Sequence, residues 1–181
     1  MLICGVDPGL DGALAFLDTA TTRIIAMISM PTLTLRKGKG SKREISSRTL
    51  VVELERAQLG SVAHVFLEKV SSSPQMGNAS AFKFGRGYGI IEGVTAVLGW
   101  PVEDVSPNKW KKALAVPAGK DDARARACQL MPLDAEQWTP RRGIMNAAQA
   151  SGRAEAALIG LYGLRNFQKL AADLPLVDAV A

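Results

Sequence analysis

The chain has 181 residues, of which 48% are hydrophobic and 22% charged, and its formal net charge is +5. This composition fits one folded domain with a sizeable core and excludes a disordered chain. Every apolar run is shorter than the ~18 residues of a membrane-spanning helix, and MLICGVDPG lacks the basic start of a signal peptide. The two cysteines, Cys4 and Cys128, lie far apart without metal-ligand spacing, and Cys4 reads as a buried strand residue, so we expect a reducing, cytoplasmic compartment.

The first third of the chain predicts three strands, a helix and a fourth strand. The apolar run MLICGVD ends at Asp7, and the turn residues PGLDG follow it. ALAFLD and RIIAMISM then predict two more strands, joined by short loops as in an antiparallel meander. Residues 31–45 are rich in glycine and charge, which predicts a mobile loop. Ser46 or Ser47 would cap a helix through RTLVVELERAQ, and VAHVFLE would return as a strand parallel to its neighbour.

The rest of the chain is mostly helical in pattern. Residues 79–98 predict a helix, although each glycine in it costs an isolated helix about 1 kcal/mol, so we expect a close approach by the sheet or a ligand. PVEDVS predicts a short strand, and SPNKWKKAL and GKDDARARACQLM predict helices. Residues 131–150 read as an irregular connection, before a final amphipathic helix in GRAEAALIGLYGLRNF. The order indicates one layered α/β domain over residues 1–170, with a mixed sheet and a C-terminal tail over 171–181.

Three acids stand at informative places in this pattern. Asp7 ends the first strand, Glu68 ends the fourth, and Glu155 lies among small and apolar residues of the last helix. If the first and fourth strands are neighbours, Asp7 and Glu68 emerge side by side and raise each other's pKa. Mg²⁺ relieves such repulsion, and two such ions serve phosphodiester hydrolysis. Each acid alone could be an ordinary turn or surface residue, so the hypothesis depends on all three.

Positive charge is concentrated in LRKGKGSKRE, in NKWKK and at Arg141–Arg142, which favours a polyanionic partner over a merely solvated surface. Aromatic side chains near the acids could stack on unpaired bases or simply pack in the core. His64 lies inside an apolar strand and reads as a packed residue. The candidate DNA contacts are Arg36, Lys37, Lys39, Lys42, Arg43, Ser73, Gln75, Phe82, Lys111 and Lys112.

Five blocks of the sequence, in order, resemble the RuvC-type Holliday junction resolvases of the ribonuclease H-like superfamily, most closely their phage and prophage members. The blocks are GVDPGLDGALAFLD, VFLEKVSSSPQMG, SAFKFGRGYGIIEGV, VSPNKWKKAL and GRAEAALIG. The resemblance covers roughly residues 1–165. It implies an α/β ribonuclease H-like fold, in which a mixed five-stranded sheet (an antiparallel three-strand meander plus parallel strands) is flanked by helices.

The same resemblance implies a homodimeric endonuclease that nicks four-way or otherwise branched DNA in a bacterial or phage-infected cell. It implies two Mg²⁺ or Mn²⁺ ions per active site. By match to the family's motifs, Asp7, Glu68 and Glu155 are the catalytic metal ligands.

One position departs from the family pattern. The family usually carries a fourth acid, or a His–Asp pair, about one turn before the position of Glu155, where this chain reads AAQASGRAE and offers only Ser151. Three explanations stay open. DNA phosphate replaces the protein ligand, or another acid such as Asp11, Asp121 or Asp122 contributes, or the chain is impaired.

Three rival functions are also open. A non-catalytic junction-binding protein is favoured by the missing acid. A ribonuclease H-like nuclease could act on another nucleic acid, such as flaps or RNA–DNA hybrids. The sugar-kinase and actin-like ATPases begin with a similar strand–turn–strand around DPG, but they need two domains and a much longer chain.

Overall fold

The structure is a computed structural model, and it describes residues 1–37, 40–69, 76–119 and 121–173. The strands are β1 (Leu2–Asp7), β2 (Ala13–Asp18), β3 (Ile24–Ser29), β4 (Thr32–Lys37), β5 (Gly40–Ile45), β6 (Val62–Glu68) and β7 (Val102–Val105). The helices are α1 (Ser47–Arg56), α2 (Asn78–Val97), α3 (Pro107–Ala113), α4 (Asp122–Leu130) and α5 (Ala147–Asp173), with a 3₁₀ helix at Pro132–Trp138.

The main sheet has five strands in the order β3-β2-β1-β6-β7. β1, β2 and β3 form the antiparallel meander, and β6 and β7 run parallel to β1. The predicted fold class, an α/β ribonuclease H-like domain with a mixed five-stranded sheet flanked by helices, is therefore confirmed. The first and fourth strands of the sequence prediction are the neighbours β1 and β6.

Helices cover both faces of this sheet because alternate side chains of each strand point to opposite faces. Ile3 of β1 packs into the core beneath α4 and α5, whereas Cys4 and Val6 pack into the core beneath α1 and α2. The Ser46 hydroxyl accepts from the Thr49 amide at 3.2 Å and caps α1, as the sequence indicates. No helix in the described ranges has an apolar stretch long enough to span a membrane.

Residues 31–45, predicted as a mobile loop, instead form a β-hairpin. β4 and β5 pair antiparallel with Thr32 opposite Ile45 and Lys37 opposite Gly40. The alternation in TLTLRK is typical of a strand, and the high charge of the segment concealed it. The hairpin is a second, two-stranded sheet beside the main one.

The last helix also differs from its prediction. It begins at Ala147, inside the segment read as irregular, because Asn146 and Gln149 cap each other: the Gln149 amide donates to Asn146 Oδ1 at 2.9 Å and the Asn146 amide to Gln149 Oε1 at 3.1 Å. The helix is not amphipathic, since residues 156–164 are buried on every side.

Contact between main chains holds α5 against β1. A Cβ atom on Gly5 would lie 2.1 Å from the backbone nitrogen of Gly160 and 2.3 Å from the carbonyl oxygen of Ala156. Only glycine at position 5 lets the helix approach this closely. The small residues of AEAALIG therefore bring α5, and Glu155 with it, onto the strand that ends in Asp7.

Candidate active site

The three acids singled out in the sequence meet at one end of the main sheet. Asp7 is the last residue of β1 and Glu68 the last of β6, and the two strands are parallel, with Val6 opposite Leu67. Parallel neighbours place their C-terminal residues at the same edge of a sheet. Glu155 reaches this edge from α5, which packs directly on β1.

The three carboxylates of the site are close enough to interact electrostatically. Burial, aided by the negative charges of Glu155 and Glu68, raises the pKa of Asp7 to about 7 from its ordinary value of 3.8. The pKa of Glu68 is also raised, first by burial and then by Glu155. Lys111 lowers the pKa of both Asp7 and Glu68, so its ammonium group shares the site.

The turn after β1 is built around the Asp7 side chain. The Gly9 amide donates to Asp7 Oδ1 at 2.9 Å, which opposes the rise of its pKa. A Cβ atom on Gly12 would lie 2.2 Å from the Asp7 carbonyl oxygen and 2.7 Å from its Cγ atom. The glycines of DPGLDG thus let the loop close around a carboxylate that stays partly accessible.

Trp110 orients Glu68, a role that the sequence reading missed. Trp110 lies in the NKWKK cluster, and its side chain is completely buried. Its indole Nε1 donates to Glu68 Oε1 at 2.9 Å, and the Lys111 ammonium lies 5.1 Å from the centre of its ring. A buried indole N–H needs an acceptor. This requirement is the feature from which a polar partner for Trp110 could have been predicted.

The position of the missing fourth acid is occupied by a close backbone contact. Ser151 is partly buried one turn before Glu155. A Cβ atom on Gly152 would lie 2.2 Å from the carbonyl oxygen of Asp11, so the start of α5 rests on the loop after β1. The Asp11 carboxylate pairs with Arg43, whose Nη1 lies 2.8 Å from its Oδ1.

The other two substitutes considered for the fourth acid are engaged at the start of α4. Asp121 pairs with Arg124 at 3.3 Å, and Asp122 Oδ2 accepts from the Gly119 amide at 2.6 Å. The charged neighbours that shift the pKa of Asp7 are Glu155, Glu68 and Lys111, and neither Asp121 nor Asp122 is among them.

The donor chemistry of the site fits a divalent cation. The described residues contain no group of three or more His, Cys, Asp or Glu side chains arranged to hold one metal ion. Yet Asp7, Glu68 and Glu155 supply carboxylate oxygens, the ligands that Mg²⁺ prefers. Burial, and after it the repulsion from Glu155 and Glu68, raises the pKa of Asp7, and a bound cation would offset both costs of keeping this carboxylate charged.

Arg43 ties the basic hairpin to the site. Its guanidinium donates to Asp11 Oδ1 and to the Leu10 carbonyl oxygen, both at 2.8 Å. Arg36 on β4 and Lys42 on β5 are exposed, and Lys37 ends β4. Of the remaining candidate DNA contacts, Lys112 is exposed on α3 and Phe82 is 74% exposed on α2, whereas Lys39, Ser73 and Gln75 lie outside the described residues.

Two further residues have partners away from the acids. Arg153, two residues before Glu155, donates to Gln137 Oε1 at 3.2 Å. His64 packs against Phe66 with ring centres 4.9 Å apart. Neither residue joins the carboxylate site.

Comparison with known proteins yields structural likeness without sequence matches. No protein-family model matches the chain, and no curated protein sequence matches it. A structure titled Thermus thermophilus RuvC in complex with Holliday junction substrate is 16% identical with a TM-score of 0.56, over 92% of this chain and 96% of that one. A structure of Thermus thermophilus RuvC is 18% identical with a TM-score of 0.52, over 92% and 97%. The chain therefore has the fold of RuvC along nearly its whole length.

Proposed function

We propose that this chain is a RuvC-type resolvase, a metal-dependent endonuclease that cuts four-way or other branched DNA in the cytoplasm of a bacterium or phage-infected cell. The observation that carries the proposal is the convergence of Asp7, Glu68 and Glu155 at one sheet edge of a fold shared with RuvC. The neighbour bound to a Holliday junction supports branched DNA as the substrate class.

In this proposal the carboxylates of Asp7, Glu68 and Glu155 hold two Mg²⁺ or Mn²⁺ ions. Such ions supply a water nucleophile at neutral pH and positive charge at the leaving oxygen. Trp110 keeps Glu68 turned toward Asp7, and Lys111 places its ammonium group where a DNA phosphate approaches the acids. A phosphate oxygen would complete the ligand set that Ser151 leaves short.

The hairpin would contact the DNA backbone. Arg36, Lys37 and Lys42 carry positive charge along β4 and β5, and Arg43 anchors these strands beside Asp11. Such contacts give affinity that depends on salt rather than on sequence. Lys39, Ser73, Gln75, Phe82, Lys111 and Lys112 remain candidate contacts on the sequence argument.

The exposed face of α2 is the proposed contact between the two subunits of a homodimer. Cβ atoms added at Gly85, Gly89 and Gly93 would meet no heavy atom of the described residues within 4 Å. Val97, on the same helix, is 88% exposed. An unpartnered glycine-rich helix face allows a second helix to approach closely, which would explain why the glycines are tolerated.

The test is nicking of a synthetic four-way junction in Mg²⁺ or Mn²⁺. We expect symmetric nicks from the wild-type protein and a loss of at least ~100-fold in rate for Asp7→Asn and Glu68→Gln, because each removes a carboxylate that would hold the metal ions. The control is Glu55→Gln, which changes an exposed acid on α1 and should cut normally. Nicking that survives both Asp7→Asn and Glu68→Gln would refute the site.

A non-catalytic junction-binding protein is the second candidate. It is favoured by Ser151 at the position of the family's fourth acid and by the absence, among the described residues, of a group already arranged to hold a metal. Tight binding of the junction without cleavage in Mg²⁺, Mn²⁺ or Co²⁺ would select it over the nuclease.

A further inference from the structure

A cavity of about 230 Å³ lies between the loop after Asp7, the strand β5 and the helix α2. Most of its wall is apolar, and one aromatic ring contributes to it. The apolar residues that line it are Pro8, Leu10, Ile45, Phe84 and Ile90. It borders the loop that follows Asp7, since Pro8, the next residue in the chain, lines it.

Two ion pairs build this cavity from separate elements. Arg43 of β5 pairs with Asp11 in the loop after β1, and Arg86 of α2 pairs with Glu44 of β5. The hairpin is thereby fixed both to the loop and to the helix. The two ion pairs therefore hold the walls of the cavity together, and both arginines already have an acidic partner.

A third cationic side chain at the cavity has no acidic partner among the described residues. Lys83 of α2 lines the cavity and forms no ion pair with any acid in the described parts of the chain. An apolar pocket with a lysine on its wall suits a ligand that is flat and apolar on one side and anionic next to it. A nucleobase with its adjoining phosphate has this chemistry.

The size of the cavity restricts the ligand further. Sites for drug-sized molecules span about 300–1,000 Å³, so a cavity of about 230 Å³ takes one ring system and leaves the sugar and phosphate outside. A bare phosphate or metal ion would not need apolar walls. A wholly aliphatic side chain from a protein partner would leave Lys83 without a counter-charge.

We propose that this cavity receives one unpaired nucleobase from the branch point of the DNA, stacked on Phe84, while Lys83 binds the phosphate beside it. The inference rests on the proposed function and adds a base-binding subsite next to the cut. An unpaired base costs little to extract from a branch point, and its removal would bring the adjoining strand toward Asp7.

The experiment measures junction affinity in EDTA, so that no cleavage occurs. Two four-way junctions are compared, one with a single unpaired thymine at the branch point and one with an abasic site at the same position. Stacking of one base should make the wild-type protein bind the thymine junction about tenfold more tightly. Phe84→Leu keeps the apolar volume but not the stacking plane, and we expect its affinity ratio to fall to about 1.

Two variants separate the subsite from general effects. Ile25→Ala removes an apolar side chain, 58% exposed on β3, that is not part of the cavity, and its ratio should stay near ten. Lys83→Gln should weaken binding of both junctions while a preference for thymine persists. Folding of every variant is checked by circular dichroism, and Phe84→Tyr, which keeps an aromatic ring, should restore the preference.

The outcomes separate this inference from the proposed function. A wild-type protein that binds both junctions tightly and equally would refute the base subsite and leave the resolvase proposal standing. A ratio that Phe84→Leu leaves at ten would place the base elsewhere and also refute the subsite. Failure to bind either junction would refute both proposals.

Discussion

A buried tryptophan can fill volume in the core and can also donate a hydrogen bond, and Trp110 does both. As bulk, the indole fills the core; as a donor, it holds one carboxylate oxygen and lowers the pKa of Glu68. Phenylalanine retains most of the first property and none of the second. Hydrogen bonds to charged groups contribute about 1.5–3 kcal/mol, so the donor matters even where the volume is conserved.

Trp110→Phe should therefore raise the Mg²⁺ concentration needed for half-maximal junction nicking by about tenfold at pH 6.5, with a smaller effect at pH 8.5. The reason is that Glu68 without its donor holds its proton to higher pH, and protons compete with the metal. Metal titrations of nicking at the two pH values measure this shift.

Trp138→Phe is the matched control. Trp138 is equally buried, and its indole donates to Cys128 Sγ at 3.2 Å, within the helical layer formed by α4 and the 3₁₀ helix. It should lose stability without a pH-dependent change in metal requirement. Equal behaviour of the two variants would show that Trp110 is only core packing.

Asp7 makes the metal-free protein sensitive to pH. Its pKa is about 7 in the folded chain and 3.8 ordinarily, so the unfolded chain releases this proton first as pH rises. Stability therefore falls between about pH 4 and pH 7, and the loss is complete above pH 7. The sign is opposite to that of a carboxylate in a salt bridge.

Asp7→Asn should consequently be more stable than the wild type in EDTA at pH 8, by on the order of 2 kcal/mol after discounting for partial exposure of the side chain. At pH 4 the two should be nearly equal. Urea unfolding at both pH values provides the measurement. Added Mg²⁺ should stabilise the wild type at pH 8 and leave the variant unchanged, and a less stable variant in EDTA would contradict the assignment.

At the scale of elements, the contact between β1 and α5 tolerates added side-chain volume least. Gly5→Ala would place a methyl group 2.1 Å from a backbone atom of Gly160, which no rotamer change can relieve. Overpacking costs typically about 1–3 kcal/mol, and we expect this variant at or above the upper end.

Urea unfolding of Gly5→Ala beside Gly60→Ala tests that expectation. A Cβ atom at Gly60 would meet nothing within 4 Å, so this control should change stability by less than about 1 kcal/mol. If the two variants unfold at the same urea concentration, β1 and α5 are not in direct backbone contact.

The sequence predicted the five strands of the main sheet, most helices and the elements that carry the three acids, because each depends on local pattern. The run of residues ending at Asp7 reads as a strand wherever it is placed. The hairpin β4–β5 was missed because its high charge concealed the alternation in TLTLRK, and because the pairing and the contact of Arg43 with Asp11 that hold it are not local properties. Trp110 was assigned to the right helix but not to Glu68, because contacts across 42 residues depend on the packing of α3.

At the scale of the whole molecule, the position of the positive charges matters more than their number. The net charge is +5 over 181 residues, and Arg36 and Lys42 are exposed on a hairpin that Arg43 anchors to Asp11 in the loop after Asp7. A positive ribbon beside a negative site would guide a DNA backbone to the carboxylates without binding it there until a cation arrives.

The double variant Arg36→Gln/Lys42→Gln should lower the dependence of junction affinity on salt. Each phosphate contact to duplex DNA contributes about 0.9 to the slope of log affinity against log salt, so the slope should fall by about 2. Fluorescence anisotropy across a range of NaCl concentrations measures it. Arg56→Gln, at an exposed arginine on α1, is the control, and an equal fall for both proteins would contradict a specific role of the hairpin.

The close backbone contact of Gly5 on β1 with Gly160 on α5 also makes this fold suitable for engineering metal sites. Since main-chain contact between β1 and α5 restricts the separation of the Asp7 and Glu155 backbones, the side chains at these positions can be exchanged while their spacing is retained. Histidines at both positions would present nitrogen donors from a strand and a helix that cannot slide apart. The scaffold could in this way accept zinc or cobalt, and the visible spectrum of bound cobalt would report the geometry of its ligands, because zinc has a filled d shell and gives no such spectrum.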